Sequence, residues 1–188
     1  MQAARPLRIV KDEPEELEKL FQAHNGRIFR TAHRITGSAA DAEDVLQTVF
    51  LRLARGTESY DLTPNPEAYL SRAAINASLD LIRSRNRSRS VGLDDVDSSA
   101  LGTSFYNPEI QHADRELQTL IREAVARLGK TAGEMFVLRY YEGRDNQEIA
   151  KLLGTSAVVV GVVLHRARTK LRKEIGRYLA KHREVGGI

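Results

Sequence analysis

An all-α fold of two small helical domains joined by a flexible linker is what this sequence predicts, and three observations carry the expectation. Apolar residues recur at three- and four-residue steps along most of the chain, the period of a helix with one buried face, and no strand signal appears outside one valine run. Residues 90–108, SVGLDDVDSSALGTSFYNP, are rich in Ser and Gly and hold three Asp and no basic residue, the composition of a linker rather than a core. Residues 146–172, NQEIAKLLGTSAVVVGVVLHRARTKLR, divide at a glycine into a short and a long segment, the pattern of two helices meeting at a tight turn.

Taken in order, residues 1–13 read as a loose tail. Pro14 suits a helix first turn, where a missing N–H is harmless, and Glu15 and Glu16 sit favourably at the positive end of the helix dipole. Leu17, Leu20, Phe21, His24, Ile28, Phe29 and Ala32 then form one face of a helix ending near Thr36-Gly37. Ser38 can cap the next helix, expected over about Ala39 to Arg55. That helix buries Ala42, Val45, Leu46, Val49, Phe50 and Leu53 and turns Asp41, Asp44, Gln47, Leu51 and Arg52 to its other face. Residues 57–65, TESYDLTPN, form a loop of turn formers, and Pro66 opens a third helix. Its apolar residues are spread widely, while Arg72, Asn76, Asp80 and Arg83 fall at steps of four, four and three on one polar face. It runs into Arg83, Arg85, Arg87 and Arg89, spaced by Ser and Asn, a phosphate-binding composition. These elements make a first domain, residues 14–89, before the linker.

The second domain, residues 109–188, opens with helices expected over about Glu109 to Leu128 and Thr131 to Tyr141. A helix over Asn146 to Leu153 follows, then Gly154, where a helix end needs a residue that tolerates a left-handed backbone. Thr155 or Ser156 can cap the last helix, which runs from about Ala157 past Leu171. Ala150 places a small side chain where the two helices cross. Such a pair is a helix-turn-helix, whose second helix normally enters the DNA major groove. The charge agrees: from Arg144 to the end there are ten basic residues against four acidic ones, in a chain whose formal net charge is +4. A basic end on a near-neutral body points to a polyanion partner.

Composition excludes several other classes. The absence of cysteine rules out disulfides, thiolate metal sites and a thiol nucleophile. His24, His33, His112, His165 and His182 are scattered, and no phosphate-binding Gly loop is present, so neither an enzyme nor a metal protein is expected. The N-terminus lacks the apolar core of a signal peptide, and AVVVGVVL is too short to cross a bilayer, so a cytoplasmic protein without membrane insertion is expected.

The order of parts, with DAEDVLQTVFLRL, then YLSRAAINASLDLIRSR, a linker, and an EIA…LG…LHRAR…LR frame, resembles the extracytoplasmic-function (group IV) sigma factors of bacterial RNA polymerase over about residues 15–178. The resemblance implies that Asp41, Asp44, Gln47, Phe50 and Leu51 lie in region 2.2, which binds the clamp helices of the polymerase β′ subunit. Leu51 ringed by carboxylates and Gln47 is an apolar contact with a polar rim, sound chemistry for docking. It implies that the third helix, with Arg72, Asn76, Asp80 and Arg83, opens and reads the promoter −10 element. The loop Thr57 to Asn65 matches one that captures a flipped base, a task for which Tyr60, Asp61 and Asn65 can supply stacking and hydrogen bonds. Asp94, Asp95 and Asp97 would place linker charge in the polymerase channel. In the second domain, Thr155, Ser156, Val159, His165, Arg166 and Arg168 are the implied contacts to the −35 element, with the β flap as the polymerase surface beneath. The implied partners are core RNA polymerase, promoter DNA and an anti-sigma factor; no cofactor or metal is implied.

The chain departs from the family pattern at named positions. Tyr69 stands where a Trp is usual, and Gly129 where a Pro is usual. On the recognition helix the hydroxyl, Lys and Arg positions are Val159, Gly161 and Val163; Val160 and Leu164 are the expected core positions and the others are expected to face the groove. Two other readings therefore stay open. One is a conventional helix-turn-helix regulator. The other is a sigma-like protein whose Val158, Val159, Val162 and Val163 form a protein-binding patch in place of −35 contacts.

Overall fold

The computed structural model describes residues 14–55, 65–90 and 108–185. Seven helices and no strand occupy these residues: α1 (Pro14–Thr36), α2 (Ala39–Arg55), α3 (Pro66–Ser90), α4 (Pro108–Ala126), α5 (Lys130–Tyr140), α6 (Asn146–Leu153) and α7 (Ala157–Val185). The N-terminal tail, most of the Thr57 to Asn65 loop with Tyr60 and Asp61, and the linker with Asp94, Asp95 and Asp97 lie outside the described residues. The valine run is helical. Burial of Val160 and Leu164 against the core overrides the strand preference of branched side chains.

Contacts divide the chain into two compact units, with the boundary between Ser78 and Leu79, inside α3 rather than after it. In the first unit Ile28 and Ala32 of α1 pack with Ala42, Val45, Val49, Phe50 and Leu53 of α2 and with Leu70, Ala74 and Ala77 of α3. Each fully buried Ile, Val, Leu or Phe among them contributes about 1.5–3 kcal/mol. Gly37 takes φ 74°, and its N–H donates to the His33 carbonyl to close α1. Ser38 starts α2 by accepting from the Asp41 N–H at 3.3 Å through its Oγ.

In the second unit the last turns of α3 pack with α4–α7. Arg83 Nε donates to the Ala126 carbonyl at 2.7 Å, and Arg89 pairs with Glu123 at 3.0 Å. These partners explain why the division falls within the helix. Gly133 sits at a close approach: a Cβ there would stand 3.1 Å from Leu79 Cδ1 and 3.3 Å from the Val125 carbonyl oxygen, so the neighbours would have to give by a few tenths of an ångström. Met135, Val137, Leu138, Ile149, Ala150, Val160, Leu164, Ala167 and Leu171 form the rest of this core. Gly129, the N-cap of α5, adopts φ 92°, ψ 166°, a conformation closed to proline, whose ring holds φ near −65°. The Tyr178 hydroxyl donates to Glu116 at 2.8 Å, a bond that raises the phenol's pKa above its ordinary value and ties α7 to α4.

Candidate protein-docking and nucleic-acid interfaces

The outer face of α2 carries Asp44, Gln47 and Leu51 in solvent, with Leu51 51% exposed. Leu51 forms one wall of a groove of about 540 Å³ lined by Leu17, Glu18 and Phe21 of α1 and Gln47, Phe50, Leu51 and Ala54 of α2. Phe50 is its floor, buried and packed edge-on against Phe21 with ring centroids 4.9 Å apart. Asp41 corrects the sequence reading. It is only 5% exposed, because its position in the first turn of α2 points it inward, and it does not belong to the outer face. Leu17 and Phe21 belong to the apolar face of α1, and Leu17 packs partly against the core. Phe21 is 40% exposed and completes the groove.

On α3, Asn65 serves as a helix start: its Oδ1 accepts from the Ala68 N–H at 3.1 Å. Arg72 and Asn76 are half-buried and Asp80 is exposed. Asp80 pairs with Arg83 at 2.7 Å. Asn76 Oδ1 and Arg83 Nη2 are buried with no hydrogen-bond partner among the described residues.

The helix-turn-helix is built with matched caps. Asp145 Oδ1 accepts from the Gln147 and Glu148 N–H groups at 2.8 Å each, and Glu148 Oε2 accepts in return from the Asp145 N–H at 2.8 Å, a reciprocal capping box. Sequence reasoning passed over this box, although the Asp-Asn-Gln-Glu spelling carries it. Gly154 takes φ 64°, ψ 41°, and the Thr155 N–H reaches back to the Ala150 carbonyl at 2.9 Å. Ser156 Oγ then accepts from the Val159 N–H at 3.2 Å to start α7.

From this start, Val160, Leu164, Ala167 and Leu171 face the core, as expected for the first two. Val158 is 76%, Val159 46% and Val162 45% exposed, and His165, Arg166 and Arg168 are exposed beyond them. Thr155 is half-buried in the turn, and Ser156 is exposed. Gly161 and Val163 correct the expectation that they face outward with Val159. Both are half-buried, since successive residues on a helix turn by about 100° and these two fall on the flanks of the exposed stripe. A Cβ on Gly161 would meet Asn146 Nδ2 at 3.7 Å.

One helical unit carries an exposed apolar groove, and the other carries a helix-turn-helix with a basic second helix, the architecture of a DNA-binding module. The Sigma-70 region 2 family model matches residues 20–88, and the Sigma-70 region 4 model matches residues 118–171. The ECF RNA polymerase sigma factor SigE of Mycolicibacterium smegmatis is 33% identical over 166 residues, 88% of this chain and 62% of that protein. The RNA polymerase sigma-E factor of Streptomyces coelicolor is 31% identical, covering 85% of this chain and 86% of that one. SigL of Mycobacterium tuberculosis is 32% identical over 83% of this chain and 86% of its own. A solved structure of the sigma factor RpoE in complex with the anti-sigma factor NepR, from Bartonella quintana, shares 20% identity over 89% of this chain and 98% of that one, with a TM-score of 0.46, too loose a likeness to argue from. The chain belongs to the ECF sigma factors of RNA polymerase, proteins of promoter-directed transcription initiation. Among the described residues no single helix is long and apolar enough to cross a membrane.

Proposed function

We propose that residues 14–89 dock on the polymerase β′ clamp helices and open the −10 element, and that residues 109–188 read the −35 element above the β flap. The docking side is carried by Asp44, Gln47 and Leu51 with the Phe21 and Leu17 rim opposite. The observation behind it is an exposed apolar groove with an acidic and amide border, the arrangement of an interface core and its rim. Asn76, Asp80, Arg72 and Arg83, with Tyr60, Asp61 and Asn65, are the −10 contacts. Buried polar atoms without partners cost about 1–3 kcal/mol each. The orphaned Asn76 Oδ1, on the half-buried edge of this helix face, fits a side chain that turns to a nucleic-acid partner, whereas Arg83 is held by the Ala126 carbonyl and Asp80. Thr155, Ser156, Val159, His165, Arg166 and Arg168 are the −35 contacts. The protein is an initiation factor rather than an enzyme, works in the cytoplasm with the polymerase, and is held in check by an anti-sigma factor.

Run-off transcription tests this reading: core RNA polymerase, the full chain, and a duplex carrying the region upstream of its own gene. A discrete transcript that needs the added chain supports the assignment. A chain that neither joins core polymerase nor changes its start sites would remove it.

A further inference from the structure

Between Ser156 and His165 no side chain of α7 carries a hydrogen-bonding group. This is the part of a recognition helix that meets base edges. The structure turns three of these side chains outward, Val158, Val159 and Val162, on one ridge of the helix. The ridge continues into His165 and Arg166, with Arg168, Arg172 and Lys173 exposed beyond. Among the described residues Arg166 and Arg168 have no carboxylate partner, so both are available to phosphate. The surface is convex and flanked by cations, and this favours a nucleic-acid groove over an apolar protein pocket.

A valine ridge in the major groove discriminates by what it can and cannot satisfy. A G·C pair presents N7, O6 and the N4 amine, all of which lose water against valine and gain no hydrogen bond in return. A thymine presents a C5-methyl group, which valine covers at a net gain. We propose that Val158, Val159 and Val162 read thymine methyl groups, so that this chain takes an A·T-rich upstream element with its thymines on the strand facing α7. The proposal deepens the −35 reading given above and rests on it. Arg166 and Arg168 then hold the helix in register through phosphates, which carry no sequence information themselves.

The test uses the full chain bound to core RNA polymerase and a pool of duplexes randomised over the segment upstream of a fixed −10 element. The selected duplex is resynthesised with 2′-deoxyuridine replacing thymine one position at a time, which removes only the methyl group. We expect thymines to be enriched at two or three positions. Each uracil replacement should weaken binding about fourfold, the effect of one buried methyl. In Val158→Ala, Val159→Ala and Val162→Ala chains, which lose the Cγ groups and gain helix propensity, the uracil effect should vanish at the matching position. An enriched upstream element that is indifferent to uracil would overturn methyl reading and leave −35 recognition standing. Failure to enrich any upstream sequence, with promoter binding carried by the −10 element alone, would overturn both, and would leave the ridge to a protein partner.

Discussion

The chain exposes apolar side chains in two places, and the two are built differently. The groove beside α2 is concave, shared by two helices, and has an aromatic floor in Phe50; its lining carries one charge, Glu18. The ridge on α7 is convex, lies on one helix, and leads into a run of exposed cations. Apolar area alone does not name a partner. The curvature beneath it and the charge around it narrow the choice, and they underlie the two separate partners proposed above: a protein for the cleft with its acidic border, a polyanion for the ridge bordered by arginines.

The groove is the easier side of this contrast to break. If the groove is the docking contact proposed above, Leu51→Arg places a charge at its wall and should lower affinity for core polymerase on the order of 100-fold, measured by titration of labelled chain. Because Leu51 is half exposed in the free protein, circular dichroism should show unchanged helicity. Retained affinity would move the docking site elsewhere.

On the ridge the expected losses are smaller and depend on salt. Arg166→Ala and Arg168→Ala should each weaken promoter binding by the assembled holoenzyme about fivefold near physiological salt and lower the salt slope by about one unit, leaving polymerase affinity as it was. If the slope does not change, these arginines do not touch phosphate. The smallest effect separates the ridge from its flank. Val159→Arg should melt within a degree of the parent chain and steepen the salt slope. Val163→Arg, at a half-buried position, should melt a few degrees lower, since about 1 kcal/mol corresponds to roughly 2–4 °C in a chain of this size. Equal melting temperatures for the two variants would place Val163 on the surface.

Much of this was legible in the sequence because helices announce themselves locally. The starts at Pro14, Pro66 and Asn146 and the stop at Gly154 need only neighbours in the chain, and each lies where propensity and capping put it. Facing was harder to read. Asp41 belongs by spacing with Asp44 and Leu51, yet the first turn of α2 points it inward. Gly161 and Val163 match family positions that carry polar groups, but α6 and the core of its unit set which flank they occupy, and no local pattern encodes that. The partner of Arg83 is a backbone carbonyl 43 positions away in sequence, a contact that only the folded chain creates.

Gly129 has a consequence for anyone who would improve this protein by borrowing from its relatives. Replacing an unusual residue with the one most family members carry is a common route to a sturdier chain. Here the borrowed residue would be proline, whose ring holds φ near −65°, while the turn into α5 needs φ 92°. Accepting it would mean rotating the backbone by roughly 150° at the point where α5 takes its direction. The turn and the glycine therefore have to be changed together. A designer who wants the relatives' proline must transplant the connection between α4 and α5 along with it.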